Sequence, residues 1–378
     1  MRIAAAVLVA SLVAACSTVS APPAGLLDDT SFGHPSQRIS ADDIFAPSAE
    51  MKHYIATEIA DDVHIKGPEQ GLFDALYSRN QLQLDYESAM TRNAAQAFAA
   101  RSGNCLSLVI MTAAFAKEMG LTVTYNHIYT EDAWSRTGDI YLSIGHVNLT
   151  LGLRSSDGYR GGDKLTIDFL PPGDIRGLRS RPISEQTIIA MYMNNRAVES
   201  LAVGRQSDAY WWAREAIVQD PNLTMSYNTL GAIYQRHGDL SQAERALQYA
   251  LERDPKNTHV MSNLVGVLNE QGRTVEANVL AGKLAELEPN PPFSFFNRGM
   301  NALRAGDYKV AKEMFTKETE RAPYYHEFHF WLAVAALGLG DRDLARKHLE
   351  IAIEASPTRS DHDLYAAKLD KINASHAR

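Results

Sequence analysis

The sequence is poor in cysteine, with only Cys16 and Cys105 among 378 residues. Two cysteines cannot build the disulfide framework that stabilises many small secreted domains. The chain also has no CxxC motif, no HExxH motif and no histidine-rich tract. We therefore expect no metal site and no cofactor.

Basic stretches are absent as well. The net charge is −8, and lysine and arginine form no run or stripe, so we expect no nucleic acid partner. With 45% hydrophobic and 22% charged residues, the composition is that of an ordinary globular chain. The length of 378 residues predicts two or three domains.

The N-terminal apolar stretch is too short to span a bilayer. It follows the single positive charge of Arg2 in MRIAAAVLVASLVAAC, a pattern typical of a signal peptide over residues 1–16. Its end, Val13 to Cys16, resembles the bacterial lipobox. The resemblance implies a cell-envelope lipoprotein of a diderm bacterium, acylated at Cys16. Ser17 in place of aspartate implies anchoring to the outer membrane, facing the periplasm. An ordinary cleaved signal peptide is the alternative.

Residues 17–45 are rich in serine, alanine, proline and aspartate without clear periodicity, which predicts a flexible tether. A lipid on Cys16 would leave Cys105 unpaired in an oxidising compartment. Such a thiol is either reactive or a small buried hydrophobic residue.

The C-terminal half repeats with a period of 34 residues. Prolines occur at this spacing at Pro221, Pro255, Pro289, Pro323 and Pro357. The period is that of the tetratricopeptide repeat, a helix-turn-helix unit. The unit 224–257 carries further signature residues of that repeat: Tyr227, Leu230, Gly231, Tyr234, Ala243, Leu247 and Ala250. We therefore predict about five repeats over residues 186–359, followed by a capping helix and tail over 360–378.

A repeat array usually binds a protein or peptide, and the lipid would be the only contact with the membrane. Several aromatic residues are candidates for a binding groove or, as the alternative, for the core between helices. They are Tyr210, Trp211, Trp212, Phe293, Phe295, Phe296 and Tyr324.

The segment between tether and repeats predicts a helix followed by strands. Residues 104–120 are apolar on nearly all faces and end at a glycine, which predicts a buried helix beginning near Cys105. The alternating, β-branched segments 121–129, 139–153 and 164–172 predict three strands. His146 lies on the second of these strands and Asp168 on the third.

This order suits thiol chemistry. A cysteine at a helix N-terminus faces unpaired backbone N–H groups and the positive end of the helix dipole, which favour the thiolate. The same N–H groups can stabilise an oxyanion. An imidazole can form an ion pair with the thiolate, and a carboxylate can orient the ring. We therefore predict that Cys105, His146 and Asp168 are catalytic.

The residues around these positions resemble the transglutaminase-like superfamily. The resemblance rests on Arg101-x-Gly103-x-Cys105, on GHVN around His146 and on IDF around Asp168, over roughly residues 50–185. It implies a papain-like α+β domain over residues 46–185 that uses a Cys-His-Asp triad for amide hydrolysis or transfer. Residues 77–100 have no tryptophan to match the oxyanion-stabilising residue of animal transglutaminases, which favours hydrolysis.

Several positions have alternative interpretations. His127 is a second candidate for the base, and Asn148 is a second candidate for orienting the ring. Asn104 is an N-cap or an aid to the oxyanion. Trp134 and Tyr125 line the cleft or pack in the core.

The segment 183–204 bridges the two halves and opens the first repeat. Its polar pair, Asn194 and Asn195, is either an edge that contacts substrate or a satisfied helix junction. Two functions remain: a thiol-dependent peptidase, amidase or acyltransferase whose repeats bind the substrate, and a non-catalytic scaffold lipoprotein.

Overall fold

The computed structural model describes most of the chain beyond residue 21: residues 22–77, 82, 84–87, 90–129, 134–137, 140–143, 146–152, 165–169, 179–291, 293–323, 325–356 and 359–374. The predicted signal peptide and Cys16 lie outside these residues, as do Tyr324 and Pro357. Among the described helices, none is both long and apolar enough to cross a membrane.

The N-terminal half mixes helices and strands. In chain order they are α1 (Ala49–Thr57), α2 (Ala60–Lys66), α3 (Pro68–Tyr77), β1 (Asp85–Tyr86), α4 (Ala94–Ala100), β2 (Ser102–Gly103), α5 (Cys105–Glu118), β3 (Thr122–Tyr129), β4 (Trp134–Thr137), β5 (Ile140–Ser143), β6 (His146–Gly152), β7 (Leu165–Ile167) and β8 (Arg179–Ile183). The main sheet is antiparallel with the order β7-β6-β3-β8.

The predicted strand over 139–153 is two strands. β5 pairs with β4, whereas β6 pairs with β3 and β7, so the two halves belong to different sheets. The apolar positions change phase at the junction, from Ile140, Leu142 and Ile144 to Val147, Leu149 and Leu151, and this change was a sign of the break in the sequence. β8 was not predicted, because its residues RSRPI lack an apolar face.

The predicted central helix is α5. Asn104 caps it by accepting a hydrogen bond from the Ser107 backbone N–H at 2.9 Å. Every residue from Cys105 to Ala116 is buried. A helix that is apolar on all sides can be stable only inside the protein, and α5 is indeed the core element on which α1, α4 and the main sheet pack.

The C-terminal half is a series of helices joined by short turns. They are α6 (Glu185–Ala202), α7 (Gln206–Gln219), α8 (Thr224–His237), α9 (Leu240–Arg253), α10 (Thr258–Glu270), α11 (Thr274–Leu287), α12 (Ser294–Arg304), α13 (Tyr308–Arg321), α14 (His326–Gly338), α15 (Arg342–Glu354) and α16 (Arg359–Ala374). Consecutive helices pack as pairs, which is the predicted all-α solenoid.

Most of the candidate groove aromatics are core residues. Tyr210, Trp212, Phe293 and Phe296 are buried between helices. Trp211 and Phe295 are only partly buried.

Much of the segment predicted as a flexible tether packs against the repeats, through contacts of residues 24–36. Leu26 and Phe32 are buried, and Phe32 stacks on Tyr210 with ring centroids 4.2 Å apart. The Tyr234 hydroxyl donates to the Leu26 carbonyl at 2.9 Å, and Arg214 pairs with Asp29 at 2.9 Å. At the other end of the segment Ile44 is buried, and its carbonyl accepts from the Ala94 backbone N–H. The composition of the segment did not indicate this order, because its contacts are with residues far away in the sequence.

Candidate functional site

The thiol of Cys105 lies at the first turn of α5. The side chain is 4% exposed, and Asn104 before it holds the helix start. Of the first three backbone N–H groups, that of Ser107 donates to Asn104. No described residue accepts from the N–H groups of Cys105 and Leu106. These two donors therefore point, with the dipole of α5, to the region beside the thiol.

His146 and Asp168 lie beside each other on neighbouring strands. His146 begins β6, and Asp168 follows the last residue of β7. The register pairs Leu149 with Ile167, which places Asp168 opposite Asn148 and diagonal to His146. The imidazole Nε2 and the carboxylate Oδ1 are 2.7 Å apart, and both side chains are almost fully buried.

The Cys105 thiol lies close enough to the His146 imidazole to contribute to raising its pKa. Because Asp168 occupies Nε2, Nδ1 is the ring nitrogen that remains for the thiol. The three predicted residues thus form one chain of contacts: thiol, imidazole, carboxylate. Their catalytic role remains a prediction.

The site holds a proton on His146. Burial lowers the pKa of its imidazole, but hydrogen bonds to Asp168 and Cys105 and the charges of both partners outweigh this effect and raise the pKa to about 9. At neutral pH the ring is therefore an imidazolium, which is the form that pairs with a thiolate.

Two asparagines orient the carboxylate. The Asn148 Nδ2 donates to Asp168 Oδ2 at 2.8 Å, and the Asn126 Nδ2 donates to Asn148 Oδ1 at 3.0 Å. Asn148 was considered as an orienting group for the imidazole; it acts on the carboxylate instead. Asn126 was missed by the sequence analysis, although its position on the predicted strand 121–129 was a possible signal.

Tyr77 is a second missed residue. Its hydroxyl donates to the backbone carbonyl of Asp168, and its ring stacks on that of Phe169 at 6.2 Å. Burial and the charge of Asp168 raise the pKa of Tyr77 to about 12, so the hydroxyl keeps its proton. Tyr77 thereby ties the end of α3 to the chain that carries the carboxylate.

His127 is placed differently from His146. It lies on β3, opposite Val147 in the register. Burial, the charge of Arg181 and the charge of His146 all lower the pKa of His127. A ring that resists protonation is unsuited to forming an ion pair with a thiolate.

The remaining candidates have structural contacts. Asn104 is the N-cap of α5, and Tyr125 is buried with its hydroxyl donating to Glu185 at 2.9 Å. Arg101 ends α4 with a left-handed φ of 51° and donates from Nη1 to the Leu82 carbonyl at 3.2 Å. At Gly103 an added Cβ would lie 2.7 Å from the Ser107 Cβ, so only glycine fits this turn before Cys105. The side chain of Trp134 is outside the described residues.

A cleft of about 740 Å³ lies between α1 and α4. It is lined by Tyr54, Phe98, Arg101 and neighbouring residues, and none of the three candidate catalytic residues contributes to it. Over the part of the chain that the structure describes, no group of three or more His, Cys, Asp or Glu side chains could hold a metal ion.

Comparison with known proteins identifies the repeats. Tetratricopeptide-repeat models match residues 235–293 and 296–360. No curated protein matches the chain.

Solved structures give weaker similarities. YrrB, described as a TPR protein with an unusual peptide-binding site, is 23% identical, and the match covers 48% of this chain and 92% of YrrB with a TM-score of 0.26. PilF of Pseudomonas aeruginosa is 20% identical, and the match covers 51% of this chain and 88% of PilF with a TM-score of 0.31. A thermophilic TPR protein of Thermus thermophilus is 19% identical, and the match covers 48% of this chain and 98% of that protein with a TM-score of 0.30. The family models and the paired helices together show that the C-terminal half of this chain is an array of tetratricopeptide repeats.

Proposed function

We propose that this protein is a thiol-dependent enzyme of the transglutaminase-like, papain-like class, whose repeats bind a protein or peptide substrate. The observation that carries the proposal is the buried His146–Asp168 pair, with Nε2 and Oδ1 2.7 Å apart, beside the buried Cys105 thiol at the N-terminus of α5. A purely structural cysteine needs neither a protonated imidazole nor a carboxylate behind it.

The geometry suits acyl transfer through a thioester. The Cys105 thiolate attacks the amide carbonyl, and the oxyanion that forms accepts hydrogen bonds from the N–H groups of Cys105 and Leu106. His146 gives its Nδ1 proton to the leaving amine as the C–N bond breaks. Water then attacks the thioester carbonyl while His146 takes its proton, and the C–S bond breaks to release the acid and the Cys105 thiolate. If a second amine attacks instead, the same C–S cleavage gives a new amide. Asp168 keeps Nε2 protonated and the ring in place throughout.

Alkylation by iodoacetamide tests the proposal without a known substrate. We expect Cys105 in the native protein to react at neutral pH, and we expect His146→Ala to slow the reaction because the ion pair is lost. Cys105→Ala removes the labelled site and serves as the blank. His127→Ala is the matched control, because it removes a neighbouring imidazole from the same sheet and should leave the rate unchanged.

A native Cys105 that stays unreactive until denaturant is added would contradict the proposal. The repeats would then carry the function, as a scaffold. That second candidate is favoured by one specific observation, the tetratricopeptide match over residues 235–360, because such repeats generally mediate protein or peptide binding.

The substrate can be sought with the thiol disabled. A Cys105→Ala protein keeps its repeats but cannot turn a bound peptide over, so it should retain peptides that the parent releases after cleavage. Peptides retained equally by both proteins would indicate binding without chemistry and would favour the scaffold.

The location of the protein is part of the same proposal. The lipobox-like end at Cys16 supports a lipid anchor in the outer membrane with the rest of the chain in the periplasm. Cys16→Ser should release the protein from the membrane fraction. A variant that sediments with membranes as the parent does would contradict the anchor.

A further inference from the structure

One buried residue between the two halves of the molecule is not explained by the proposed chemistry. Thr91 lies in the loop before α4 and is 1% exposed. Its neighbour Met90 is 46% exposed, so the loop turns inward at this residue. All of the polar contacts of Thr91 go either to the start of α5 or to α6, the first helix of the repeat half.

The contacts to the repeat half come from two side chains of α6. The Thr91 backbone N–H donates to Glu199 Oε1 at 2.7 Å. The Asn195 Nδ2 donates to the Thr91 hydroxyl oxygen at 3.2 Å. Arg196 holds Glu199 from the other side, with Nη1 at 2.7 Å from Oε2.

Other contacts of Thr91 go to the N-terminal half that carries Cys105, called the thiol domain from here on. They are made to the residue that caps α5. The Asn104 Nδ2 donates to the Thr91 hydroxyl oxygen at 2.9 Å, while its Oδ1 accepts from the backbone N–H and hydroxyl of Ser107. The Ser107 hydroxyl in turn accepts from the Arg92 backbone N–H at 2.8 Å. Residues 91 and 92 of the loop are therefore hydrogen-bonded to the turn on which Cys105 lies.

Both acceptor positions of the Thr91 hydroxyl are occupied. A hydroxyl has one donor and two acceptor positions. Here it accepts from Asn104 of the thiol domain and from Asn195 of α6. Removing this buried hydroxyl would leave both amides short of an acceptor.

We propose that α6 of the repeat half positions the candidate nucleophile, through a hydrogen-bond relay from Glu199 and Asn195 to Thr91 and on to Asn104. The inference rests on the proposed thiol chemistry and deepens it. Asn104 sets the start of α5, and the start of α5 sets both the Cys105 thiol and the N–H groups beside it. Thr91, Asn195 and Glu199 are positioning residues, because they act on the thiol only through Asn104. A ligand that shifts α6 would change the alignment of the thiol with His146.

The test compares Thr91→Val with Thr91→Ser in the full chain. Valine keeps the shape of threonine but loses the hydroxyl, whereas serine keeps the hydroxyl. The readout is the rate of iodoacetamide alkylation of Cys105 at neutral pH and at about pH 10, where any ordinary thiol is ionised. Thr91→Val should slow the neutral reaction by about tenfold, the effect expected from the loss of a buried hydrogen bond. It should leave the rate at about pH 10 unchanged, and Thr91→Ser should restore the neutral rate.

Asn194→Ala is the matched control. Asn194 is buried next to Asn195 on the same helix and takes no part in the relay, so its replacement should leave both rates unchanged. A loss of stability alone would speed alkylation or leave its pH profile as it is. If Thr91→Val does not fold, Asn195→Ala decides the question, since it removes one contact of the relay and should give a smaller decrease in the same direction.

The outcomes separate the inference from the function on which it rests. A reactive parent whose neutral rate is unaffected by Thr91→Val or Asn195→Ala overturns the relay and leaves the thiol chemistry standing. An unreactive parent overturns both.

Discussion

At the scale of residues, the site depends on a buried carboxylate that is held from several sides. Asp168 accepts from Asn148 with one oxygen and contacts His146 with the other, and Tyr77 donates to its backbone carbonyl. Burying a charge is costly unless hydrogen bonds satisfy it. The amide of Asn148 and the imidazolium of His146 together supply that compensation.

Asp168→Asn should lower the pKa of His146 from about 9. Burial, which lowers the pKa, would then act without the opposing carboxylate. The raised value means that this proton stabilises the fold fully below the unfolded pKa near 6.5 and that the contribution is lost as the pH rises through about 9. NMR titration of the imidazole measures the change. Asp42→Asn, at an exposed carboxylate, is the control, and an unchanged titration of His146 in Asp168→Asn would refute the explanation.

At the scale of elements, each repeat has a glycine in the turn between its two helices, which the spacing of the prolines did not reveal. Glycines with φ between 75° and 92° lie at 34-residue intervals in the turn between the two helices of each unit: Gly204, Gly238, Gly272, Gly306 and Gly340. Positive φ is easily reached only by glycine, so the first helix of each unit ends at the same place. The period is therefore fixed by the turn as well as by the packing.

Glycines inside the repeat helices differ in the space around them, and two of them give a paired prediction. An added Cβ at Gly231 of α8 would lie 2.6 Å from Leu247 of α9, whereas at Gly282 of α11 nothing lies within 4 Å. Gly231→Ala should lower the free energy of unfolding by about 1–3 kcal/mol, because it overpacks the contact between two helices. Gly282→Ala should raise it by about 0.5–1 kcal/mol through helix propensity.

Urea denaturation of the two variants and the parent provides the measurement. The pair is its own control, since the same methyl group is added to a helix in both proteins. A Gly231→Ala protein as stable as Gly282→Ala would show that the α8–α9 contact can relax at little cost.

At the scale of the whole molecule, contacts at several places join the two halves, among them the hydrogen bond from Tyr125 to Glu185 of α6. The Thr91 relay connects the thiol domain to α6, and residues 24–36 connect the start of the described chain to α7, α8 and α9. Arg214 and Arg245 bind the carboxylate of Asp29 and the carbonyl of Gly25 in the second connection. The start of the described chain is therefore fixed to the repeats rather than linked loosely to the thiol domain.

Phe32→Ala tests the second connection. The ring is 7% exposed and lies against Tyr210, Tyr234 and His237, so its removal should lower the free energy of unfolding by about 3 kcal/mol. Thermal melting followed by circular dichroism provides the measurement. Ile65→Ala, at a side chain that is 77% exposed, should have almost no effect. If the N-terminal segment made no fixed contacts with the repeats, Phe32→Ala would change the free energy of unfolding as little as Ile65→Ala does, and the prediction would be wrong.

The sequence by itself determined the features that repeat or that depend on nearest neighbours. The 34-residue period predicted the helix pairs, because each unit buries its apolar face only against the next. The apolar run of residues 104–120 predicted α5, and Asn104 predicted its cap, because a helix start needs a side-chain acceptor for its N–H groups. The residue types of Cys105, His146 and Asp168 suggested one site, since their order and chemistry fit a single mechanism.

Only the tertiary structure decided which distant residues meet. The register between β6 and β7 places Asp168 beside His146, and a shift by one residue would turn its carboxylate to the other face. The split of segment 139–153 into two strands depends on their separate partners. Phe32 stacks on Tyr210, which lies 178 residues later in the sequence, and Thr91 is hydrogen-bonded to Glu199, which lies 108 residues later. No local sequence pattern encodes these contacts. Local sequence sets helix starts and turns, whereas the partners of single buried polar groups are set by how complete elements pack.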